Sequence, residues 1–311
     1  MNYKKIIRSR TMRENILRAL AFIPDETMLR MQYRIKTGRA LHLKDPVRFT
    51  EKLQWYKLYY RNPDMIRCVD KYEVRTYLQE RGFLELLPKC FGVFDSPDQL
   101  PVSQLPERFV LKDTLGSGGN AVLLCSDKSQ ADWKDIYKTA AGWCATPLIR
   151  DGGREWPYYS GKKHRILVEE YLQSEGGPLT DYKFFCFGGE CAFVYVCTGR
   201  QNGSSVEIYF VSPTYQKLSV TRVGDEPSGK LPEKPESFGE MVRLAETISA
   251  PFPHVRVDLY NIGGVIRFGE LTFFNASGYM CYEPDSFDAE IGKRFSLPRQ
   301  NVGGKNRGGA S

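Results

Sequence analysis

A lysine at the end of a short apolar segment is followed closely by a run of glycines. Residues 109–120 read Phe-Val-Leu-Lys-Asp-Thr-Leu-Gly-Ser-Gly-Gly-Asn. Glycines let backbone N–H groups turn inward around phosphate oxygens, and a lysine ammonium adds a positive charge beside them. In a P-loop the lysine follows the glycines, so this segment is a different arrangement. The pattern predicts a phosphate contact by Lys112 and a loop of Gly116, Ser117, Gly118 and Gly119, although a plain hairpin loop fits equally well.

Two carboxylates near the end of the chain are predicted to face each other across a β-hairpin. If residues 255–260 and 265–274 are its strands and the turn is centred on Gly264, Asp258 lies opposite Glu270, with Cβ atoms about 5 Å apart. Like charges so placed repel each other unless a cation lies between them. We favour a Mg²⁺ held by both carboxylates and carrying nucleotide phosphates. The alternative is that Arg256 alone neutralises a surface cluster.

A third segment ends an apolar strand in acidic residues. Residues 165–172 read Arg-Ile-Leu-Val-Glu-Glu-Tyr-Leu, and residues 180–184 follow with Thr-Asp-Tyr-Lys-Phe. An adenine ring needs an apolar slot beside a free strand edge, and a ribose needs a carboxylate. Glu169, Glu170 and Asp181 are candidates for the polar part, but an ordinary amphipathic strand has the same pattern.

The elements that must position these residues change in type along the chain. Helical periodicity dominates up to about residue 90 and returns at residues 130–145 and 238–249. Strand patterns occupy residues 109–111, 166–172, 182–187, 191–198, 206–211, 255–260 and 265–274. We therefore expect an α+β fold with a helical region (1–90), two further regions (91–172 and 173–298) and a disordered tail (299–311).

Composition limits the class of protein. The 311 residues are 41% hydrophobic, but even the longest apolar runs, such as residues 191–197, are short. No membrane-spanning helix is therefore expected. The basic N-terminus lacks the apolar stretch of a secretory signal. Eight cysteines without a C-x-x-C pair predict free thiols in a reducing compartment, which is the cytoplasm.

Positive charge is concentrated at the N-terminus. Residues 1–60 hold 14 Lys and Arg against 5 Asp and Glu, whereas the remainder holds 30 against 32. A solvated helical face explains this pattern, and peripheral docking on an anionic polymer or on the inner face of the plasma membrane is the alternative. No nucleic-acid-binding spacing is present, so a nucleic-acid partner is not expected.

The order of these segments resembles one known family. Residues 49–55, 69–72, 109–120, 153–158, 169–171, 181–187 and 255–274 carry the likeness. Together they resemble the TupA-like branch of the ATP-grasp superfamily, named for a teichuronopeptide biosynthesis protein and found among bacterial capsule and surface-polysaccharide genes. The likeness runs from about residue 20 to residue 295.

The resemblance implies that ATP and Mg²⁺ lie between a lid lobe (91–172) and a C-terminal antiparallel-sheet lobe that carries the metal site (173–298). Lys112 and Lys71 would contact the phosphates, and residues 116–119 would close over them. The remaining nucleotide contacts would come from Glu169, Glu170, Tyr171, Leu172, Asp181 and Lys183.

The resemblance also implies a metal site and a substrate site. Asp258 and Glu270 would bind Mg²⁺, and Thr272 stands where many ATP-grasp enzymes have an asparagine. Asn275 is the alternative third ligand and a substrate candidate. Arg256 would stabilise an acyl phosphate, while Arg154 and Trp156 would belong to a substrate loop. A core tryptophan beside a surface ion pair explains these last two residues equally well.

The function implied is that of an ATP-dependent carboxylate–amine ligase acting through an acyl phosphate. Its substrates would be an anionic glycan or glycan precursor, such as a uronic acid, and an amino acid or other amine. Two alternatives remain open: phosphoryl transfer to a sugar hydroxyl, and a non-catalytic nucleotide-binding scaffold for polysaccharide assembly.

Overall fold

The structure is a computed structural model that describes residues 16–17, 19–116, 121–147, 153–174, 179–199, 206–225, 227 and 229–298. Its helices are α1 (Asp25–Thr37), α2 (Phe49–Tyr59), α3 (Pro63–Cys68), α4 (Glu73–Gln79), α5 (Trp133–Cys144), α6 (Phe238–Ser249) and α7 (Ser286–Arg294). The described ranges leave out residues 1–15 and 18 of the basic segment (1–60) and every residue of the predicted tail (299–311). Within the described ranges, no helix combines the length and hydropathy needed to cross a bilayer.

The strands form two main antiparallel sheets and one small one. They are β1 (Cys90–Phe94), β2 (Phe109–Asp113), β3 (Val122–Cys125), β4 (Ile166–Glu170), β5 (Asp181–Phe187), β6 (Glu190–Thr198), β7 (Glu207–Val211), β8 (Thr221–Arg222), β9 (His254–Ile262), β10 (Val265–Thr272) and β11 (Tyr282–Glu283). The smaller of the main sheets has the order β1-β4-β2-β3 and its own apolar core, and the larger has the order β10-β9-β5-β6-β7. The α+β class is therefore confirmed.

Helix α2 is fixed at its first turn by carboxylates from two places in the chain. The Glu51 carboxylate accepts from the backbone N–H groups of Val47 and Arg48, both at 3.0 Å, which satisfies donors that a helix start leaves open. From α7, the Asp288 carboxylate accepts from the Thr50 backbone N–H at 3.0 Å and from its hydroxyl at 2.7 Å. The C-terminal helix is thereby joined to the N-terminal helical region.

The hairpin of β9 and β10 corrects the predicted turn and confirms the predicted acid pair. Val265 pairs with Ile262, so the loop is the two-residue Gly263-Gly264 turn, with φ of 57° and 90°, and is not centred on Gly264. A bulge at Gly269 then shifts the register by one residue, and Glu270 pairs with Asp258 as predicted. The two-residue glycine turn and the bulge together pair Asp258 with Glu270, as the predicted loop of odd length would have done.

The sequence patterns predicted some elements and missed others. The expected helix over residues 238–249 has the observed bounds of α6, and α5 lies within residues 130–145. Strand β1 was not predicted, because Gly92 interrupts its apolar pattern. Strand β3 and helix α7 were also not predicted.

Gly292 of α7 tests the close approach of this helix to the start of α2. A Cβ at Gly292 would lie 2.0 Å from the backbone oxygen of Val47, whereas one at the exposed Gly142 of α5 would meet nothing within 4 Å. We expect Gly292→Ala to lower the free energy of unfolding by about 1–3 kcal/mol because backbone atoms must move apart. The matched Gly142→Ala should raise it by about 0.5–1 kcal/mol, since alanine favours helix. Urea unfolding measures both, and equal values for the two variants would contradict this packing.

Candidate active site between the lid sheet and the larger sheet

Lys112 and Arg75 hold one buried carboxylate between them. The Lys112 Nζ lies 2.7 Å from Glu169 Oε2, and the Arg75 Nη1 lies 2.7 Å from Glu169 Oε1. Lys112 and Glu169 come from the adjacent strands β2 and β4, whose register places Glu169 opposite Val110, two residues before Lys112. Arg75 reaches them from α4. Glu169, in the smaller sheet, is thus the fixed counter-ion of two cations.

Lys71 anchors the first residues of the glycine loop. Its backbone N–H donates to the Thr114 oxygen at 2.9 Å, and its ammonium donates to the backbone oxygens of Asp113 and Gly116. Burial lowers the pKa of Lys71, while the charges of Glu270 and Asp113 act in the opposite direction. Glu270 of β10 is therefore close enough for its charge to act on Lys71. The other loop residues named from the sequence, Ser117, Gly118 and Gly119, lie outside the described residues.

A histidine supports the same loop from β4's side. The Asp113 side chain accepts from the Leu115 backbone N–H at 3.0 Å, and both of its oxygens lie 2.8 Å from His164 Nδ1. The backbone N–H of Thr114 donates to the Arg165 oxygen at 3.0 Å. The base of the glycine loop is therefore held by two other segments of the chain, at Lys71 and at residues 164–165.

The end of β4 presents less charge than its sequence indicates. Glu170 accepts from the Lys89 backbone N–H at 3.1 Å, and the Tyr171 ring lies under the Arg108 guanidinium, 4.4 Å from the ring centroid. After Glu170 the chain leaves the sheet, and within the part of the chain that the structure describes Tyr171 and Leu172 belong to no strand. A backbone without strand pairing is the feature that an adenine ring requires.

The larger sheet brings five charged side chains to one face. Lys183 of β5, Asp258 of β9 and Glu270 of β10 form a row of directly paired residues across three strands. Asp181 and Arg256 lie two positions away along their strands, and therefore on the same face. Asp181, Lys183, Arg256 and Asp258 are buried, whereas the Glu270 side chain is 38% exposed.

These five residues form alternating ion pairs. The Asp181 carboxylate lies 2.6 Å from Lys183 Nζ, which also contacts Asp258. Arg256 donates to both Asp258 oxygens, at 2.6 and 2.7 Å, and to Glu270 Oε1 at 2.8 Å. The predicted repulsion between Asp258 and Glu270 is thus offset by Arg256, as the alternative proposed, but Lys183 contributes a second cation and the cluster is largely buried, not on the surface.

Asp258 and Lys183 both keep their charge at neutral pH. Burial raises the pKa of Asp258 to about 6, and Arg256 and Lys183 act against that rise. For Lys183, burial lowers the pKa, but Asp181 and Asp258 outweigh it, so the pKa stays above its ordinary value. Asp258 is therefore a carboxylate and Lys183 an ammonium.

Thr272 and Asn275 lie beside this row and contact it. The Thr272 hydroxyl donates to Glu270 Oε1 at 3.3 Å, and the Asn275 oxygen accepts from Arg256. Asn275 begins a turn in which Ala276 and Ser277 have φ of 46° and 53°, unusual for residues other than glycine. Both residues are placed where the sequence expected them, and their roles stay predictions.

Arg154 and Trp156 are packed away from the row of charges. The Arg154 guanidinium, 1% exposed, donates to the backbone oxygens of Leu20 and Ile23 and to Asp25. Trp156 is buried beneath Arg61. Between them, Glu155 accepts from the Ser277 hydroxyl at 2.6 Å. The packed tryptophan agrees with the alternative interpretation of this segment, although the accompanying ion pair is buried.

The oxygen donors on this face fit one Mg²⁺. Mg²⁺ prefers carboxylate, hydroxyl and phosphate oxygens, and the partly exposed Glu270 presents such a ligand. Among the described residues, no group of three or more His, Cys, Asp or Glu side chains could hold a metal ion alone. Phosphate oxygens would therefore have to complete the coordination.

Sequence reasoning missed Arg75 and His164. Arg75 stands four residues after Lys71, a spacing that directs two side chains to the same side of a helical segment. His164 precedes an apolar strand and carries no motif; only the three-dimensional contact with Asp113 identifies it.

Three solved structures show the scale of structural similarity. D-alanine–D-alanine ligase from Bacillus anthracis complexed with ATP is 14% identical, with a TM-score of 0.42, covering 67% of this chain and 55% of that chain. An N5-carboxyaminoimidazole ribonucleotide synthetase with ADP is 11% identical, with a TM-score of 0.44 and coverages of 80% and 57%. D-alanine–D-alanine ligase from Helicobacter pylori is 13% identical, with a TM-score of 0.41 and coverages of 80% and 68%. The chain thus spans little more than half the length of the first two.

No curated protein matches the chain. The family model described as TupA-like ATPgrasp matches residues 51–296, which include both main sheets and every charged residue of the site. The chain belongs to the TupA-like ATP-grasp family.

Proposed function

We propose that this protein is an ATP-dependent ligase that joins a carboxylate to an amine through an acyl phosphate. The carboxylate would be a uronic acid or similar acid of a bacterial surface polysaccharide, and the amine an amino acid or related compound. Membership of an ATP-grasp family supports the use of ATP. The observation that carries the proposal is the pairing of Asp258 with Glu270 on one sheet face. Lys71 is close enough for the charge of Glu270 to act on it.

Lys71 and Lys112 suit a triphosphate because both are already held in place. Lys112 is fixed by Glu169, and Lys71 is fixed by two backbone oxygens. Arg75 adds a third cation next to Lys112. Positive charges held in position before the reaction stabilise developing negative charge without a reorganisation cost.

The proposed reaction needs no nucleophilic side chain. A carboxylate oxygen of the substrate attacks the γ-phosphorus of ATP, the bond to the bridging oxygen breaks, and ADP leaves. The amine then attacks the carbonyl carbon, phosphate departs with the oxygen it received, and the amine loses a proton to solvent. Glu270 would hold Mg²⁺, with Asp258 paired beside it on β9. The bound ion would supply a Lewis acid for the phosphate oxygens.

Arg256 is the residue we assign to the acyl phosphate. Its guanidinium donates to Asp258, Glu270 and Asn275, so it already lies beside the metal-binding oxygens. Asn275 joins this arginine to the turn that follows β10. In that position Arg256 would contact a phosphoryl group carried next to Glu270.

Replacement of Lys112 tests the lid contact. We expect Lys112→Ala to reduce ATP turnover by about 100-fold or more, because one fixed positive charge opposite the phosphates is lost. Lys138→Ala, at an exposed lysine of α5 on the same lobe, should leave turnover unchanged. Phosphate release measures both rates, and circular dichroism checks that both variants are folded. Equal turnover in Lys112→Ala and the wild type would contradict the assignment.

Isotope transfer tests the reaction type. With hexuronic acids carrying ¹⁸O in the carboxyl group, a mixture of amino acids, ATP and Mg²⁺, we expect an amide product. One ¹⁸O should appear in each released phosphate, because the attacking oxygen stays with phosphorus. Mass spectrometry detects both products.

Two other outcomes would replace the ligase proposal. A phosphorylated sugar that keeps all of its label, with no free phosphate, would show transfer to a hydroxyl group. ATP binding without any turnover across the substrate panel would favour the scaffold alternative.

A further inference from the structure

The orientation of the Asn275 amide is set by two neighbours of opposite chemistry. Its oxygen accepts from Arg256 Nη1, and its nitrogen Nδ2 lies 3.1 Å from the Met280 sulfur. A guanidinium group has donors only, whereas a thioether sulfur accepts and has no hydrogen to donate. Turning the amide over would place two donors together at Arg256 and two acceptors together at Met280. The two side chains therefore allow one orientation of the amide.

The Met280 sulfur accepts from two buried side chains. The Tyr195 hydroxyl donates to it at 3.7 Å, in addition to the contact from Asn275. Asn275, Met280 and Tyr195 are all buried. A buried donor that loses its acceptor cannot readily replace it with water, so the loss is costly even where the original acceptor is weak. Met280 is thus the acceptor that the structure provides for the Asn275 NH₂ group.

The other side of the amide leads to the charged residues of the larger sheet. Arg256 Nη1 donates to Asn275, Nε donates to Asp258, and Nη2 donates to Asp258 and to Glu270. Each nitrogen of the guanidinium therefore has a protein acceptor. Because these acceptors surround the group, they fix both its plane and its rotation, and Asn275 supplies the contact at Nη1.

We propose that Met280 is a positioning residue for the reaction. Its sulfur fixes the Asn275 amide, and the amide in turn holds the Arg256 guanidinium beside Glu270. Asn275 then acts through Arg256 and is not itself a ligand of the metal or of the substrate. The proposal rests on the proposed function, because it is there that Arg256 is assigned to the acyl phosphate.

Replacement of Met280 by leucine tests this role. Leucine keeps an apolar side chain of similar volume and removes the acceptor. With hexuronic acids, amino acids, ATP and Mg²⁺, we expect kcat for phosphate release to fall about tenfold, because Asn275 and Arg256 are no longer held. The affinity for a fluorescently labelled ATP should stay unchanged, since the lid is not altered. Met241→Leu, at a buried methionine of α6, should change neither quantity.

A double-mutant cycle separates positioning from a general loss of packing. Asn275→Leu removes the amide, and we expect it to lower kcat by at least as much as Met280→Leu does. Adding Met280→Leu to Asn275→Leu should then lower kcat by less than about twofold, because the amide through which the methionine acts is already absent. A methionine that acted through packing alone would lower kcat by the same factor in both backgrounds.

A third variant keeps the test decisive if either leucine variant does not fold. Glutamine, like methionine, has an unbranched side chain, and its oxygen is an acceptor. We expect folded Met280→Gln to keep kcat within about threefold of the wild-type value, because an acceptor for the Asn275 amide is restored. Circular dichroism checks the folding of every variant.

Three results, obtained with an active wild type, would overturn the proposal for Met280 alone. They are an unchanged kcat in folded Met280→Leu, an equal loss on adding Met280→Leu to Asn275→Leu, and a loss in folded Met280→Gln as large as that expected for Met280→Leu. A wild type that releases no phosphate with any of the substrates would instead overturn the proposed function, and the role of Met280 with it.

Discussion

The site depends on a carboxylate, Asp258, that is buried in a β-sheet and neutralised from two sides. An isolated buried charge is costly, and two hydrogen-bonded cations remove most of that cost. Arg256 comes from the same strand and Lys183 from the neighbouring one, so the sheet register itself brings the three groups together. The exposed Glu270 is then aligned by Arg256. The charges of the site are thus set by backbone pairing before any ligand arrives.

The lid is organised by the same principle of fixed counter-ions. Glu169 holds Lys112 and Arg75, and Asp113 holds His164 close to the glycine loop. Lys112 and Arg75 thus share a carboxylate partner within the protein. Under the proposed function, this arrangement gathers positive charge where a triphosphate would lie.

The acid pair could be predicted because strand residues alternate between faces with a period of two. The turn could not, because Gly269 adds a bulge whose effect cancels that of the shorter loop. The same local reasoning found Lys112 from its strand and glycines, but missed Arg75, whose partner Glu169 is 94 residues away. It left Arg154 open between a substrate loop and a surface ion pair, because nothing in residues 153–157 indicates a contact with backbone oxygens near residue 20. Local patterns specify elements and faces, whereas long-range contacts determine which charges meet.

The neighbouring residues Arg154 and Glu155 connect two distant parts of the molecule. Arg154 binds the backbone ahead of α1, and Glu155 binds Ser277 in the strained turn that begins at Asn275. Asn275 in turn contacts Arg256. The backbone ahead of α1 and the turn that contacts Arg256 are therefore both held by two consecutive residues, so a substitution at either residue would disturb the packing of the segment that carries the other contact.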